Sequence, residues 1–411
     1  MASIHEVFAG LGIPDEIKQA YINLGIQNLY SWQAECLYST NVLRGDNLVY
    51  CAPTSGGKTF IAELVLLKNV INRRRRAIFV LPYVSLVLEK YKYFQKILKG
   101  LNATLPQKIK VKAFCGDQSK LSRKVHEDII ICTIEKANMI CNEYLKRKWM
   151  QSLGCVIFDE THVLGNSFNG YLLEIFISKL MFYNRRALGP HGFLHEASMI
   201  QLVALSATMG NVQQLAHWLH ARLYVTTFRP VPLQEHIKSG DLILSTKGEV
   251  LEMIEGRSKE DHDGVGALCL QGVQKGQQVL IFCPTKASCV ETAIMLSQCY
   301  GNICHRENIQ QSVTYRADLI QNKIGAVQSN PYQETARSAL MNGYAYHHAG
   351  LGSDTREWIE SAFLHGHVSV LCATSTLAAG VNLPAGRVII RSLYIGERTL
   401  FPYYGYDKAS I

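Results

Sequence analysis

The sequence predicts an α/β fold of two lobes, each a parallel, doubly wound sheet, and three observations carry that prediction. Short apolar runs alternate with segments of helical period from Leu48 onward, the pattern of strands joined by crossover helices. One such strand, Leu48-Val-Tyr-Cys51, leads into the loop Ala52-Pro-Thr-Ser-Gly-Gly-Lys-Thr59 and then the helix-like run Phe60 to Leu67. The alternation breaks at Thr226-Thr-Phe-Arg-Pro-Val-Pro232 and resumes at Gln278, which divides the chain into two series.

Composition agrees. A chain of 411 residues can hold two cores, and 48% hydrophobic with 18% charged residues excludes disorder. A formal charge of +9 favours an anionic partner such as nucleic acid. No apolar stretch reaches the roughly 18 residues of a membrane span, and Met1-Ala-Ser-Ile-His-Glu-Val is no signal peptide, so the chain is read as intracellular, with no membrane partner. The 12 cysteines contain no Cys-x-x-Cys pair, and Cys132, Cys155, Cys283 and Cys372 fall in strand-like runs, as packed reduced thiols do.

In chain order, Val7 to Leu37 has helical spacing broken by Gly-Ile-Pro14 and Leu24-Gly-Ile26, which predicts two or three short helices. Gln33 within it offers a carbonyl and an NH₂, the pair that reads an adenine edge. In the loop, backbone N–H groups from Ala52, Pro53's neighbours Thr54 and Ser55, Gly56 and Gly57 suit a phosphate cradle, with Lys58 adding charge and Thr59 a magnesium ligand. Arg73-Arg-Arg-Arg76 is read as a solvated helix end. The strand Ala77–Leu81 ends at Pro82-Tyr83, which opens a helix, and the strand Asp128–Ile134 ends in Thr133, Glu135 and Lys136, suited to a phosphate backbone.

The strand Gly154-Cys-Val-Ile-Phe158 delivers Asp159-Glu-Thr-His162 to its end, where adjacent carboxylates are costly unless a cation uses them. Asp159 is read as completing the Mg²⁺ shell begun by Thr59, Glu160 as orienting the water that attacks a γ-phosphate, and His162 as coupling this site to a neighbour or packing as an imidazole. Leu202–Leu205 ends in Ser206-Ala-Thr208, hydroxyls able to couple the acidic pair to the second lobe. Asn184 to Ser198 reads as a surface insertion, and Asn302 to Gln333 as a second one. The second lobe has strands at Gln278–Phe282, Val368–Ala373 and Arg387–Ile390 and a helix from Lys286, without a phosphate loop. His348 precedes its charged helix, and Thr374, Ser375 and Gly380 follow a strand, where they suit phosphate backbone or nucleotide.

Taken together, Trp32-Gln33, Gly57-Lys-Thr59, Asp159-Glu-Thr-His162, Ser206-Ala-Thr208 and Thr374 to Pro384 resemble the superfamily-two helicases of the DExH type over nearly the whole chain. Phe79-Val-Leu-Pro-Tyr-Val-Ser85, Cys132-Thr-Ile-Glu-Lys136, Phe228-Arg-Pro-Val-Pro232 and Gly380-Val-Asn-Leu-Pro-Ala385 are similar to the Ski2-like group, most of all to its polymerase-theta type. The resemblance implies two tandem RecA-like domains, 1–228 with an N-terminal helical segment and 229–411, and an ATP-dependent 3′ to 5′ DNA motor in nuclear DNA repair. It implies ATP and Mg²⁺ as cofactors and single-stranded or partly duplex DNA as partner, contacted through Pro82, Tyr83, Thr133, Lys136, Arg229, His348, Thr374 and Ser375. Ala52, in place of the usual first loop glycine, is ordinary in that family.

In that family an arginine-rich box follows the last strand and reaches the γ-phosphate; here the sequence passes Arg391-Ser-Leu-Tyr394 to Ile411 without it. The resemblance therefore implies a chain that binds ATP but turns it over poorly. Two other readings stay open: an RNA helicase of the same group, and a non-catalytic fragment that binds nucleic acid or a partner.

Overall fold

A computed structural model describes residues 2–53, 56–116, 127–147, 149–165, 170–187, 199–207, 209–302, 309–318, 320, 337–375, 377, 383–392, 394–395 and 399–400. The chain divides into two compact units, residues up to Val231 and residues from Pro232.

In the first unit, Ala2–Ser3 (β1) pairs antiparallel with Asn28–Leu29 (β2), bracketing helices Ile4–Leu11 (α1) and Asp15–Asn23 (α2). Ser3 accepts a hydrogen bond from the His5 N–H to start α1, and Gly12 at φ 63° ends it. Ser31–Ser39 (α3) follows, so the expected short helices number three. Seven strands then form one parallel sheet: Leu48–Cys51 (β3), Arg76–Leu81 (β4), Val111–Phe114 (β5), Ile129–Thr133 (β6), Leu153–Phe158 (β7), Gln201–Ser206 (β8) and Arg222–Val225 (β9), in the order β5-β6-β4-β7-β8-β3-β9.

Both faces of this sheet are covered because its inner strands β3, β4, β6, β7 and β8 are apolar over most of their length. Leu48, Tyr50, Phe79, Ile157 and Leu205 point to one side, packing with α1 to α3, Lys58–Ile71 (α4) and Val84–Thr104 (α5). Val49, Cys51, Ile78, Val156 and Phe158 point to the other, against Ile134–Lys146 (α6), Gly170–Ala187 (α7) and Val212–Trp218 (α8). Since all seven strands run the same way, Cys51, Leu81, Thr133, Phe158 and Ser206 all finish on one edge of the sheet, where open α/β sheets place ligands.

Three sequence readings are corrected here. Arg73 to Arg76 is a solvated helix end only in its first half: Arg73 and Arg74 are exposed, whereas half-buried Arg75 donates to the carbonyls of Met199, Gln151 and Leu153 and so ties loops to the sheet. The insertion expected from Asn184 to Ser198 does not begin at Asn184, since 184–187 belong to α7 and Asn184, buried, exchanges hydrogen bonds of 2.8 and 2.9 Å with the Ile200 backbone, while 188–198 lie outside the described residues. The break in alternation between Pro232 and Gln278 is not without strands: it holds a three-stranded antiparallel sheet, His236–Ser239 (β10), Leu242–Ser245 (β11) and Val250–Met253 (β12), too short for periodicity to signal.

The second unit carries Val265–Gln274 (α9), Val279–Phe282 (β13), Lys286–Tyr300 (α10), Ile309–Asp318 (α11), Tyr344–His347 (β14), Ser353–Leu364 (α12), Val370–Ala373 (β15) and Arg387–Ile390 (β16). Its parallel sheet has the order β14-β15-β13-β16, with apolar clusters on both faces, and Tyr394–Ile395 (β17) pairs with Thr399–Leu400 (β18). Cys132 and Cys155 are fully buried in β6 and β7, as the strand pattern implied.

Candidate nucleotide site

Lys58 is the first residue of α4, and the loop before it is shaped by two glycines. Gly57 has φ 80°, and a Cβ there would meet Gln33 Nε2 at 2.6 Å; a Cβ on Gly56 would meet Pro53 O at 2.8 Å. The loop is pinned from three sides. Ala52 N donates to Ser206 O at 3.3 Å, Tyr50 Oη donates to Lys58 O at 2.6 Å, and Gln33 Nε2 donates to Gly57 O at 2.9 Å while its Oε1 accepts from Tyr30 N at 2.9 Å. The rings of Tyr30 and Phe228 lie 5.0 Å apart beside the same loop.

The acidic pair ends β7, two strands from β3 with β8 between. Asp159 N donates to Val80 O, Glu160 N donates to Asp159 Oδ1 at 2.9 Å, and Thr161 Oγ1 donates to Leu205 O at 2.9 Å. The end of β8 thus holds both flanks, the loop through Ser206 O and the acidic turn through Leu205 O. Glu160 has φ 54°, a left-handed conformation that costs a residue with a long side chain about 1–2 kcal/mol. Its carboxylate oxygen Oε2 lies 3.2 Å from His162 Nδ1.

Electrostatics set this site apart. Burial and the neighbouring Glu160 carboxylate push Asp159 up to about 6, against the pull of Lys58. For Glu160, burial acts upward but is outweighed by His162 and Lys58, which hold it below the usual range. Lys58 Nζ is buried, with the residue 7% exposed, and makes no hydrogen bond among the described residues. A helix N-terminus, a buried ammonium with three unspent donors and a hard-oxygen donor set of Thr59 and Asp159 fit a nucleoside triphosphate with Mg²⁺.

Of the other sequence-chosen residues, Pro82 and Tyr83 follow the end of β4, beside Thr133 at the end of β6 and Lys136 in the first turn of α6, so the first unit brings these four to one edge. Thr133 is buried and Tyr83 is 37% exposed. Arg229 follows β9, and Ser206, fully buried, sits 3.3 Å from Met209 Sδ. In the second unit, Thr374 N donates to His347 O at 3.2 Å, which sets Thr374 and Ser375 beside His348 at the ends of β15 and β14. Burial, then Lys286, holds the His348 imidazole below its ordinary value. Thr54, Ser55, Thr208 and Gly380 lie outside the described residues.

Sequence reasoning missed Glu63. This carboxylate is 2% exposed in the middle of α4 and accepts from Tyr21 Oη at 2.9 Å, Lys90 Nζ at 2.9 Å and Tyr93 Oη at 3.1 Å, joining α2 and α5 to the helix that begins at Lys58. Its one signal is a charged residue inside an otherwise apolar helical run. His347 was also passed over for its neighbour; it is buried, with Nε2 2.7 Å from Glu360 Oε1.

Residues 30–215 match the model of the DEAD/DEAH box helicases, and residues 328–395 match that of the helicase conserved C-terminal domain. DNA polymerase theta of Mus musculus is 38% identical over 403 residues, 94% of this chain and 15% of that protein. "Helicase POLQ-like" of Drosophila melanogaster is 34% identical over 404 residues, 95% of this chain and 36% of that protein. The ATP-dependent DNA helicase Hel308 of Pyrococcus abyssi is 30% identical over 385 residues, 93% of this chain and 48% of that protein. The chain thus spans less than half the length of these relatives.

Proposed function

We propose, from the chain's membership of the DEAD/DEAH box helicases, that it is the ATP-driven motor part of a DNA helicase. The observation that carries this reading is the pairing of the buried, unbonded Lys58 ammonium with the two carboxylates at the end of β7, both within its electrostatic reach. Lys58 and the backbone N–H groups of the loop bind the β- and γ-phosphates of ATP. Gln33, already turned toward the loop by Gly57 O, keeps one N–H and one lone pair for the adenine edge. Thr59 and Asp159 would hold Mg²⁺, which when bound neutralises charge developing on the phosphates. Glu160 accepts a hydrogen bond from the attacking water and orients it, and His162 positions the Glu160 carboxylate.

Pro82, Tyr83, Thr133, Lys136 and Arg229 in the first unit, and His348, Thr374 and Ser375 in the second, take the phosphate backbone of single-stranded or partly duplex DNA. Ser206 and Thr208 couple the nucleotide to the strand. Relatives named as DNA polymerase theta and as a DNA helicase favour DNA over RNA; 3′ to 5′ movement and a setting in nuclear DNA repair rest on the family resemblance alone. The test is steady-state ATP hydrolysis with Mg²⁺ and with single-stranded DNA or RNA of equal length. Greater stimulation by DNA is expected; greater stimulation by RNA transfers the reading to an RNA motor, and none by either contradicts a motor.

A further inference from the structure

A basic surface lies on the opposite edge of the first unit's sheet, at the N-terminal ends of β4, β5 and β6. There a cavity of about 370 Å³ is lined by Arg76, Gln107, Lys108, Lys110 and Asp128. Another of about 410 Å³ adjoins it, sharing Lys108 and adding Lys99 above a floor of Leu98 and Ile109. β4 has 6 residues at roughly 3.3 Å each, so this surface is about 20 Å from the nucleotide edge.

Arg76 donates to Tyr144 Oη at 3.3 Å, and among the described residues none of Arg76, Lys99, Lys108 and Lys110 forms an ion pair. Among the described lining residues the carboxylate is Asp128, which accepts from Lys110 N at 2.8 Å. That bond and its reciprocal, Asp128 N to Lys110 O at 2.9 Å, fix the connection that carries the lysines to the start of β6. A second pair, Asn102 Nδ2 to Ile109 O at 3.0 Å and Ile109 N to Asn102 Oδ1 at 2.8 Å, fixes it to the end of α5. The lysine backbone is therefore held in place before any ligand arrives, which lowers the ordering cost of binding.

We propose that this surface is a secondary track for a phosphodiester backbone, binding nucleic acid without regard to sequence. The choice of nucleic acid rests on the proposed function; the described lining of the cavities contributes cations and an aliphatic floor and holds no aromatic ring, so contact is with phosphates and not with stacked bases. A strand engaged at the C-terminal edge of the sheet would be retained by a second contact on the far edge.

The test uses the whole chain carrying Lys108→Gln and Lys110→Gln, both exposed positions. Binding of a fluorescein-labelled oligo-thymidine is followed by anisotropy across a sodium chloride series. Two lost phosphate contacts at about 0.7 each should make the slope of log affinity against log salt shallower by about 1.4, with several-fold weaker binding at low salt. An unchanged slope overturns the proposal. Independently of folding in any variant, acetylation of Lys99, Lys108 and Lys110 in the unaltered chain should be suppressed by excess oligonucleotide. Equal labelling with and without it, or suppression by polyglutamate to the same degree, also overturns it. Neither measurement needs ATP, so failure here is distinct from failure of the motor reading, which appears as nucleotide binding that does not depend on Lys58.

Discussion

Replacing Gly57 by Ala should damage the nucleotide loop through Gln33, and the size of the effect can be worked from the geometry. Alanine at φ 80° carries a left-handed penalty of about 1–2 kcal/mol. Its Cβ would also stand 2.6 Å from Gln33 Nε2, so the amide must leave. Gln33 is 4% exposed and makes two hydrogen bonds, to Tyr30 N and Gly57 O, whose loss costs about 0.5–1.5 kcal/mol each. Gly57→Ala should therefore destabilise the first unit by about 2–5 kcal/mol. In a Gln33→Ala background the amide is already gone, and the same substitution should cost only the backbone share of about 1–2 kcal/mol. Urea melts of the two single variants, the double variant and the unaltered chain close this cycle. Equal cost of Gly57→Ala in both backgrounds would refute the claim that Gln33 is clamped onto the loop.

Other consequences follow from buried charge. Because Asp159 is raised to about 6 from an unfolded value near 3.8, the folded nucleotide-free chain binds the extra proton, so this group's stabilisation is present in acid and lost as pH rises through about 6. Asp159→Asn should then raise the melting temperature at pH 7.5 and make the difference from the unaltered chain vanish near pH 4; a lower melting temperature at pH 7.5 counts against the assigned cause. Glu63→Ala leaves the half-buried Lys90 without its carboxylate and the buried Tyr21 hydroxyl without its acceptor, and should cost about 3–5 kcal/mol, whereas Tyr93→Phe, which removes one bond, should cost about 1 kcal/mol in the same melts. Thr161→Val removes the bond to Leu205 O and should lower stability by about 1–3 kcal/mol while leaving affinity for nucleotide within a few-fold; a large loss of affinity would mean that Thr161 touches the nucleotide.

What could be read from the sequence was local or periodic. Leu48 to Cys51, Lys286 onward and the charged helix after Leu351 carry their own signals, an apolar run, a helix start after Thr285 and a change of period, and the structure has those elements there. The Lys58 loop and Asp159-Glu160 could be paired because a parallel sheet delivers successive strand ends to one edge. Long-range partners were not legible. Nothing near Arg75 in sequence says that its guanidinium seeks carbonyls at 151, 153 and 199, and nothing near Glu63 names Tyr21, Lys90 and Tyr93. The strained φ of Glu160 and the buried start of β14 likewise depend on packing that only the folded chain supplies.

The central claim is that Lys58 and the acidic pair form one nucleotide site in which binding and turnover are separable. Its most direct test is equilibrium titration of a fluorescent ATP analogue with Mg²⁺ against the Lys58→Ala and Glu160→Gln chains, each shown folded by circular dichroism. Loss of binding in Lys58→Ala with near-unaltered affinity in Glu160→Gln is the expected result; normal binding by folded Lys58→Ala would contradict the account.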